Sequence, residues 1–149
     1  MIDSYRDLVR LPSAQRSYRS WFLDLADPAR EGAQLFHCTT GKDRTGWAAA
    51  VLLAVLGADP DVIVDDYLQT NHDLQRATQP VLDRAAAAGI DPALLEPVLT
   101  VRTEFLQAAH DEVRTTYGTL QNYLSDGLGL DDEVLQTVDA ELPTISKRA

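Results

Sequence analysis

Residues 35–46 read LFHCTTGKDRTG, and this stretch governs how the rest of the chain is interpreted. It joins two apolar segments and contains Cys38, the only cysteine, with Arg44 six positions later. Gly41 allows the backbone between them to curl, so that successive N–H groups can line a pocket for an anion. A helix beginning near Thr45 would direct further unpaired N–H groups at the same pocket. The pattern therefore predicts a phosphate-binding loop.

The position of Cys38 in this loop favours a nucleophilic thiolate. A thiol with the ordinary pKa of about 8.5 is mostly protonated at neutral pH, but a helix N-terminus and nearby cations lower that pKa. The N–H groups that stabilise a thiolate also bind phosphate oxygens. Arg44 adds a planar, two-pronged grip that strengthens as the phosphoryl group becomes trigonal in the transition state. Cys38 would then attack phosphorus and form a cysteinyl-phosphate intermediate.

Other interpretations of the stretch fit less well. A nucleotide-binding P-loop needs glycine at position 36 and serine or threonine at position 43, where this chain has Phe36 and Asp43. A zinc site would need a second cysteine, or a histidine at ligand-like spacing from Cys38. An inert, buried cysteine in a turn is the remaining alternative, but it does not account for the basic, glycine-containing context. We therefore expect no metal and no other cofactor.

Residues 37–46, HCTTGKDRTG, fit the HC-x5-R-[ST] signature and resemble the cysteine-dependent protein tyrosine phosphatases. The GKDRTG half resembles the bacterial tyrosine phosphatase family that also acts on phosphoinositides. The resemblance implies that Cys38 is the nucleophile, Arg44 the phosphate clamp and Thr45 the hydroxyl that helps the thiolate leave. It also implies that His37 ties the loop together. The other loop residues expected to bind substrate are Thr39, Thr40, Gly41, Lys42 and Gly46.

Lys42 and Asp43 each have two interpretations. The leaving group needs a carboxylic acid within reach, and the bacterial family places an aspartate inside the signature, which Asp43 matches. The alternative for Asp43 is a salt bridge that orients Arg44 or Lys42. Asp3 and Asp7 lie where many related phosphatases carry the acid, but in a segment with a helical pattern. Lys42 is interpreted as a second phosphate-facing cation, with a solvated loop charge as the alternative.

Composition limits the class of protein. The 149 residues suit a single domain with a buried core, since 45% are hydrophobic. One cysteine permits no internal disulfide, which favours a reducing compartment. The longest apolar run, residues 47–56, is too short to span a bilayer. We expect a cytoplasmic protein, with non-classical secretion left open. The net charge of −10 disfavours nucleic-acid binding, so that affinity for phosphate must be local.

Apolar spacing and helix-breaking residues predict the elements. Residues 33–37 are interpreted as the one clear strand. Pro80 is expected to open a short helix and Pro97 to break or kink a later one, and residues after Pro143 are expected to fray. Trp21 and Phe22 are interpreted as core. The longer helices are predicted at residues 1–10, 13–26, 45–56, 60–76 and 100–117.

The expected fold class is the α/β fold of tyrosine phosphatases, here mostly helical. Residues 65–74 and 117–130 also resemble that family. Its central sheet lies largely before the signature loop, yet only 37 residues precede Cys38 and no strand is predicted among residues 1–32. Residues 1–149 are therefore expected to form one phosphatase-like domain that is incomplete relative to the family. A longer chain, a homodimer or a partner chain would complete the sheet.

The favoured function is a phosphatase that hydrolyses phosphate monoesters of a phosphorylated protein or a phosphoinositide. Phosphotyrosine is the first candidate, and phosphoserine, phosphothreonine and phosphoinositides follow. Two alternatives stay open, because the sheet expected for the family is not predicted here. The chain could be a phosphate-binding module without turnover, or a helical oligomerisation module that retains the loop as a relic.

Overall fold

Helices make up most of residues 1–142, the part of the chain that this computed structural model describes. The fraying expected after Pro143 lies outside these residues. A 3₁₀ turn at Pro92–Leu94 and a π-helical turn at Tyr123–Gly127 interrupt the helices. In chain order, the helices are α1 (Ile2–Arg10), α2 (Pro12–Leu25), α3 (Asp43–Val55), α4 (Pro60–Asp73), α5 (Gln75–Ala87), α6 (Glu96–Leu99), α7 (Thr103–Tyr117), α8 (Leu120–Asn122) and α9 (Asp132–Glu141).

The first two helices form where the apolar spacing predicts them. In α1, Tyr5 and Val9 are four positions apart and therefore share one face, which is buried. Pro12 is the first residue of α2, where the backbone N–H that proline lacks would have no partner within the helix. Phe22 is buried in the core, as predicted, whereas Trp21 is half-buried and packs against Phe22 at the edge of the core.

Helix α3 lies in the middle of the core and carries the loop at its N-terminus. It packs against α1 and α4, while α1 also packs against α7. It begins at Asp43, two residues before the predicted start, and an acidic residue in the first turn stabilises a helix N-terminus. Its buried residues are Trp47, Ala48, Ala50 and Val51. Within residues 1–142, every helix is too short or too polar to cross a bilayer.

The predicted strand at residues 33–37 does not form. These residues are irregular, and residues 1–142 contain helices but no strand, so the α/β expectation is not met in the described chain. A strand needs a neighbouring strand to pair its backbone N–H and C=O groups, and no described segment supplies one. Leu35 is consequently 87% exposed, although leucine favours burial.

Residues 75–99 differ in detail from the sequence prediction. Pro80 lies inside α5 instead of opening a helix, because the Leu74 carbonyl already accepts bonds from Ala77 and Thr78 and starts the helix earlier. Proline has no N–H, so α5 lacks one internal bond at that point. Pro97 does not break a helix; it lies in the first turn of α6, where its missing N–H needs no partner.

Candidate active site

Residues 38–42 form the loop between the irregular segment 33–37 and α3. Gly41 has a φ of 74°, in the left-handed region that favours glycine, and this conformation turns the backbone toward the helix. The first turn of α3 closes where the Gly46 N–H donates to the Lys42 carbonyl at 3.0 Å. The N–H groups before that bond have no partner within the helix, so they are free to face an anion.

Cys38 is partly buried at the start of the loop. Burial alone would raise the pKa of its thiol. Hydrogen bonds from the Thr45 hydroxyl and from the backbone N–H groups of Thr45, Thr40 and Gly41 outweigh that effect and lower the pKa to about 6. The Thr45 hydroxyl oxygen is buried and has no hydrogen-bond partner of good geometry among residues 1–142, so its O–H is free to rotate toward the sulfur. Cys38 is therefore mainly a thiolate at neutral pH.

Arg44 reaches back across the loop from the first turn of α3. Its guanidinium donates to Thr39 Oγ1 at 3.0 Å, while the residue stays exposed. The Tyr18 hydroxyl donates to the Arg44 carbonyl at 3.4 Å and steadies the backbone beneath it. A guanidinium has five N–H donors, and the contact with Thr39 uses one. The remaining donors can bind the oxygens of a phosphate in the loop.

A cavity of about 670 Å³ opens beside the thiol, between α1, α2 and the segment 33–37. Of the candidate residues considered from the sequence, it brings together Asp7, His37, Cys38, Arg44 and Thr45. Aromatic rings also lie along it, from Tyr18, Trp21 and Phe36. The cavity therefore combines a nucleophile, a cation and an aromatic wall.

His37 makes a local contact. Its ring Nδ1 lies 2.9 Å from the carbonyl oxygen of Cys38, and the residue is exposed. This contact ties the ring to the loop backbone, and the supporting role of His37 stays a prediction. Residues 1–142 contain no group of three or more His, Cys, Asp or Glu side chains arranged to hold a metal ion.

Lys42 and Asp43 form an ion pair that does not line the Cys38 cavity. The Lys42 Nζ donates to both carboxylate oxygens of Asp43, at 2.7 and 2.8 Å, and approaches the Thr100 carbonyl at 3.4 Å. Lys42 is only 4% exposed, so it is neither a phosphate-facing cation nor a solvated charge in this structure. An ammonium this deeply buried needs a counter-ion, and Asp43 is that counter-ion.

Two site residues, Tyr5 and Tyr67, were not predicted from the sequence. The Tyr5 hydroxyl donates to Asp43 Oδ1 at 2.8 Å and lies 2.6 Å from the Tyr67 hydroxyl. Each tyrosine occupies the apolar face of its helix, which is the pattern of an ordinary core residue. The contact from Tyr5 to Asp43 spans 38 positions, so no local pattern could have revealed it.

A cysteine thiolate and an arginine around a curl of backbone N–H groups define the class of cysteine-dependent phosphate-binding loops. The comparison with protein families agrees with this class. The chain belongs to the tyrosine phosphatase family, whose sequence model matches residues 1–144. The resemblance carried by residues 37–46 is thereby confirmed.

Curated relatives carry matching names. A Cupriavidus necator protein named as a tyrosine-protein phosphatase is 42% identical over 115 residues, which cover 76% of this chain and 42% of that protein. The triple specificity protein phosphatase PtpB of Mycobacterium tuberculosis is 36% identical over 137 residues, 85% of this chain and 49% of that protein. A tyrosine-protein phosphatase of Nostoc commune is 40% identical over 65 residues, 44% of this chain and 22% of that protein. The chain thus spans about half the length of these relatives or less.

Proposed function

We propose that this chain is a phosphatase domain that hydrolyses phosphate monoesters through a cysteinyl-phosphate intermediate. The observation that carries the proposal is the loop around Cys38, where hydrogen bonds lower the pKa of the thiol to about 6. The guanidinium of Arg44 lies over the same loop. A nucleophile and an oxyanion clamp converge there on the place where a phosphoryl group would bind.

In the first step, backbone N–H groups and Arg44 bind the non-bridging oxygens of the phosphate monoester. The Cys38 sulfur attacks phosphorus in line with the ester oxygen, forming the S–P bond as the P–O ester bond breaks. The ester oxygen leaves with the bonding electron pair and takes up a proton from water in the open cavity. Arg44 contributes most in the transition state, because its planar fork matches the trigonal phosphoryl group.

In the second step, water attacks the phosphocysteine. The new P–O bond forms as the S–P bond breaks, and the electron pair returns to sulfur. The Thr45 hydroxyl, which helps to lower the pKa of the thiol, stabilises the departing thiolate by a hydrogen bond. Inorganic phosphate then leaves, and Cys38 is a thiolate again.

Of the two roles that the sequence leaves for Asp43, its contacts favour the orienting one. Both carboxylate oxygens accept hydrogen bonds from the Lys42 ammonium, and Oδ1 also accepts one from Tyr5. Both oxygens of Asp43 are thus engaged by donors, and the side chain does not line the Cys38 cavity, where a leaving group would lie. We therefore assign Asp43 to the support of the loop.

Phosphotyrosine is the substrate that the cavity favours. The aromatic rings of Tyr18, Trp21 and Phe36 beside the thiol could stack on a phenyl ring. The names of the relatives point to tyrosine phosphatase activity and, for one relative, to triple specificity. Phosphoserine, phosphothreonine and phosphoinositides are the further classes to test. A phosphoinositide preference through Lys42 would require its ion pair with Asp43 to open.

The test is hydrolysis of p-nitrophenyl phosphate and of a phosphotyrosine peptide by the 149-residue chain, with molar mass measured by light scattering. Cys38→Ser should abolish hydrolysis without changing the circular dichroism spectrum. Arg44→Ala should lower kcat/KM by at least about a hundredfold, as expected for loss of a transition-state clamp. The molar mass shows whether activity depends on a dimer.

Two outcomes would reject the proposal. Hydrolysis that persists in Cys38→Ser would show that another group is the nucleophile. Binding of vanadate by the folded chain without any turnover would favour the phosphate-binding module. The closed ion pair of Lys42 and Asp43 gives that alternative some support, because it leaves the cavity without an acid from the loop.

A further inference from the structure

A chain of hydrogen bonds links three helices to the loop behind the cavity. The Tyr5 hydroxyl donates its single proton to Asp43, so Tyr67, whose hydroxyl lies 2.6 Å away, must be the donor to Tyr5. Lys42 binds Asp43 from the other side and also approaches the Thr100 carbonyl. We call the set Tyr5, Lys42, Asp43 and Tyr67 the Asp43 anchor.

The anchor is held rigidly by its surroundings. Tyr5 is fully buried and Tyr67 is 2% exposed. Their rings meet edge to face with centroids 6.3 Å apart, and Tyr5 also packs on Phe105 of α7. A Cβ at Gly46 would lie 3.0 Å from the Tyr67 ring, so the ring rests directly on the backbone of α3. Helices α1, α4 and α7 thus brace the first turn of α3.

The two residues that follow Asp43 are those proposed to act on the phosphate. Asp43 is the first residue of α3, and Arg44 and Thr45 are the next two. A shift of Asp43 would move the backbone N–H groups of this turn together with the guanidinium over the loop. Lys42 has its charge neutralised by Asp43, so within this turn Arg44 is the cation left for the phosphate.

We propose that Tyr5 and Tyr67 are positioning residues for the phosphatase reaction, which fix Asp43 and through it the catalytic turn that carries Arg44 and Thr45. This inference rests on the proposed function for its kinetic part. Tyr5 acts directly on the carboxylate, and Tyr67 acts one hydrogen bond further away. Loss of either hydroxyl therefore loosens the turn without touching substrate, and loss of the Tyr5 hydroxyl has the larger effect.

The test compares Tyr5→Phe and Tyr67→Phe with Tyr123→Phe. Tyr123 is a matched control, because it is also fully buried and its hydroxyl contacts Trp47 Nε1 at 3.5 Å, away from the anchor. On p-nitrophenyl phosphate, Tyr5→Phe should lower kcat by about tenfold while KM changes by less than about twofold. Tyr67→Phe should lower kcat less, and Tyr123→Phe should keep both constants.

A second readout does not depend on turnover. The rate of Cys38 alkylation by iodoacetamide, followed against pH by mass spectrometry, reports how well the N–H groups of the turn face the sulfur. Its midpoint should move upward in Tyr5→Phe and stay in place in Tyr123→Phe. If wild type alkylates with a low midpoint but hydrolyses nothing, the proposed function fails and the midpoints still decide the positioning role.

The inference is overturned if Tyr5→Phe matches Tyr123→Phe in its alkylation midpoint. It is equally overturned if all three variants lose activity in proportion to their loss of stability in urea, since that is what a merely structural role predicts. A rise in the midpoint for Tyr5→Phe, with stability close to that of the control, supports it.

Discussion

The reactivity of Cys38 depends on backbone groups as much as on side chains. Burial opposes its ionisation, yet N–H groups of the loop and the Thr45 hydroxyl reverse that effect. Because the pKa of the thiol falls to about 6, the thiolate forms as the pH rises through that value. Reactivity toward electrophiles should follow the thiolate fraction, high at pH 7 and low at pH 5.

Alkylation of wild-type protein by iodoacetamide should therefore rise with pH with a midpoint near 6. In Thr45→Val the midpoint should lie higher, because the hydroxyl that stabilises the thiolate is removed. Thr116→Val, at an exposed position of α7, is the control and should leave the midpoint unchanged. A wild-type midpoint at the ordinary thiol value of about 8.5 would contradict the hydrogen-bonding described for the loop.

Asp43→Asn separates the two roles of this residue. A general acid matters more for phosphotyrosine than for p-nitrophenyl phosphate, whose nitrophenolate leaves without a proton. We expect the orienting role, with losses in kcat of similar size, about tenfold, on both substrates. Unfolding in urea should also show a loss of about 2 kcal/mol, because the Lys42 ammonium is left buried without its counter-ion. A loss confined to phosphotyrosine would restore Asp43 as the acid.

The residues within the loop could be predicted from the sequence, but the residues from other helices that pack against it could not. Cys38, Arg44 and Thr45 line one cavity because they are bound by short spacing along the chain. The phosphate-facing role predicted for Lys42 does not fit its burial, and its contact with the Thr100 carbonyl, 58 positions away, has no local sequence signal. Tyr5 was missed for the same physical reason. The charge and type of a residue are given by the sequence around it, but the partner of a buried charge can come from a distant part of the chain.

Helix α3 has one position where an added methyl group should matter. In Gly46→Ala, the new Cβ would lie 3.0 Å from two carbons of the Tyr67 ring. That ring cannot swing away, because it is buried and its hydroxyl is bonded to Tyr5. Alanine gains about 1 kcal/mol in helix propensity, whereas overpacking costs about 1–3 kcal/mol. A net loss of stability of about 1 kcal/mol is expected.

Urea unfolding measures that loss, and kcat/KM measures its effect on the catalytic turn. Gly46→Ala should lose activity beyond its loss of stability, because the new methyl group presses on the Tyr67 ring and strains its hydrogen bond with Tyr5. Val138→Ala is the control, since Val138 is fully buried in α9 and does not line the Cys38 cavity. It should lose stability and keep kcat/KM. A more stable Gly46→Ala with full activity would show that the ring yields easily.

Apolar periodicity predicted those elements whose backbone hydrogen bonds close within the segment itself. A helix closes its own hydrogen bonds, so α1 to α4 and α7 form close to where apolar spacing places them. A strand depends on a neighbour, and residues 33–37 have none in the described chain. The apolar residues of segment 33–37 therefore predict a strand, whereas in the structure Leu35 is exposed. The longer helices could be predicted, whereas the absence of the strand could not, because the pairing of strands is a non-local property.

For the whole molecule, net charge and local charge have opposite signs. The chain carries a net charge of −10, while the loop presents Arg44 and backbone N–H groups to an anion. Screening separates the two, because the Debye length is about 30 Å at 0.01 M salt and about 8 Å at 0.15 M. At low salt an approaching phosphate ester senses the whole molecule, and at physiological salt it senses chiefly the loop.

Raising the salt concentration from 0.01 to 0.15 M should therefore increase kcat/KM for p-nitrophenyl phosphate, by about twofold to threefold. The increase is expected because screening weakens the long-range repulsion by the net charge of −10 more than the contacts made within the loop. Alkylation of Cys38 by iodoacetamide, a neutral reagent, is the control and should change little over the same range. A fall in kcat/KM with added salt would mean that the positive field of the loop extends beyond the molecule's own negative charge, and that Arg44 attracts substrate from a distance as well as binding it.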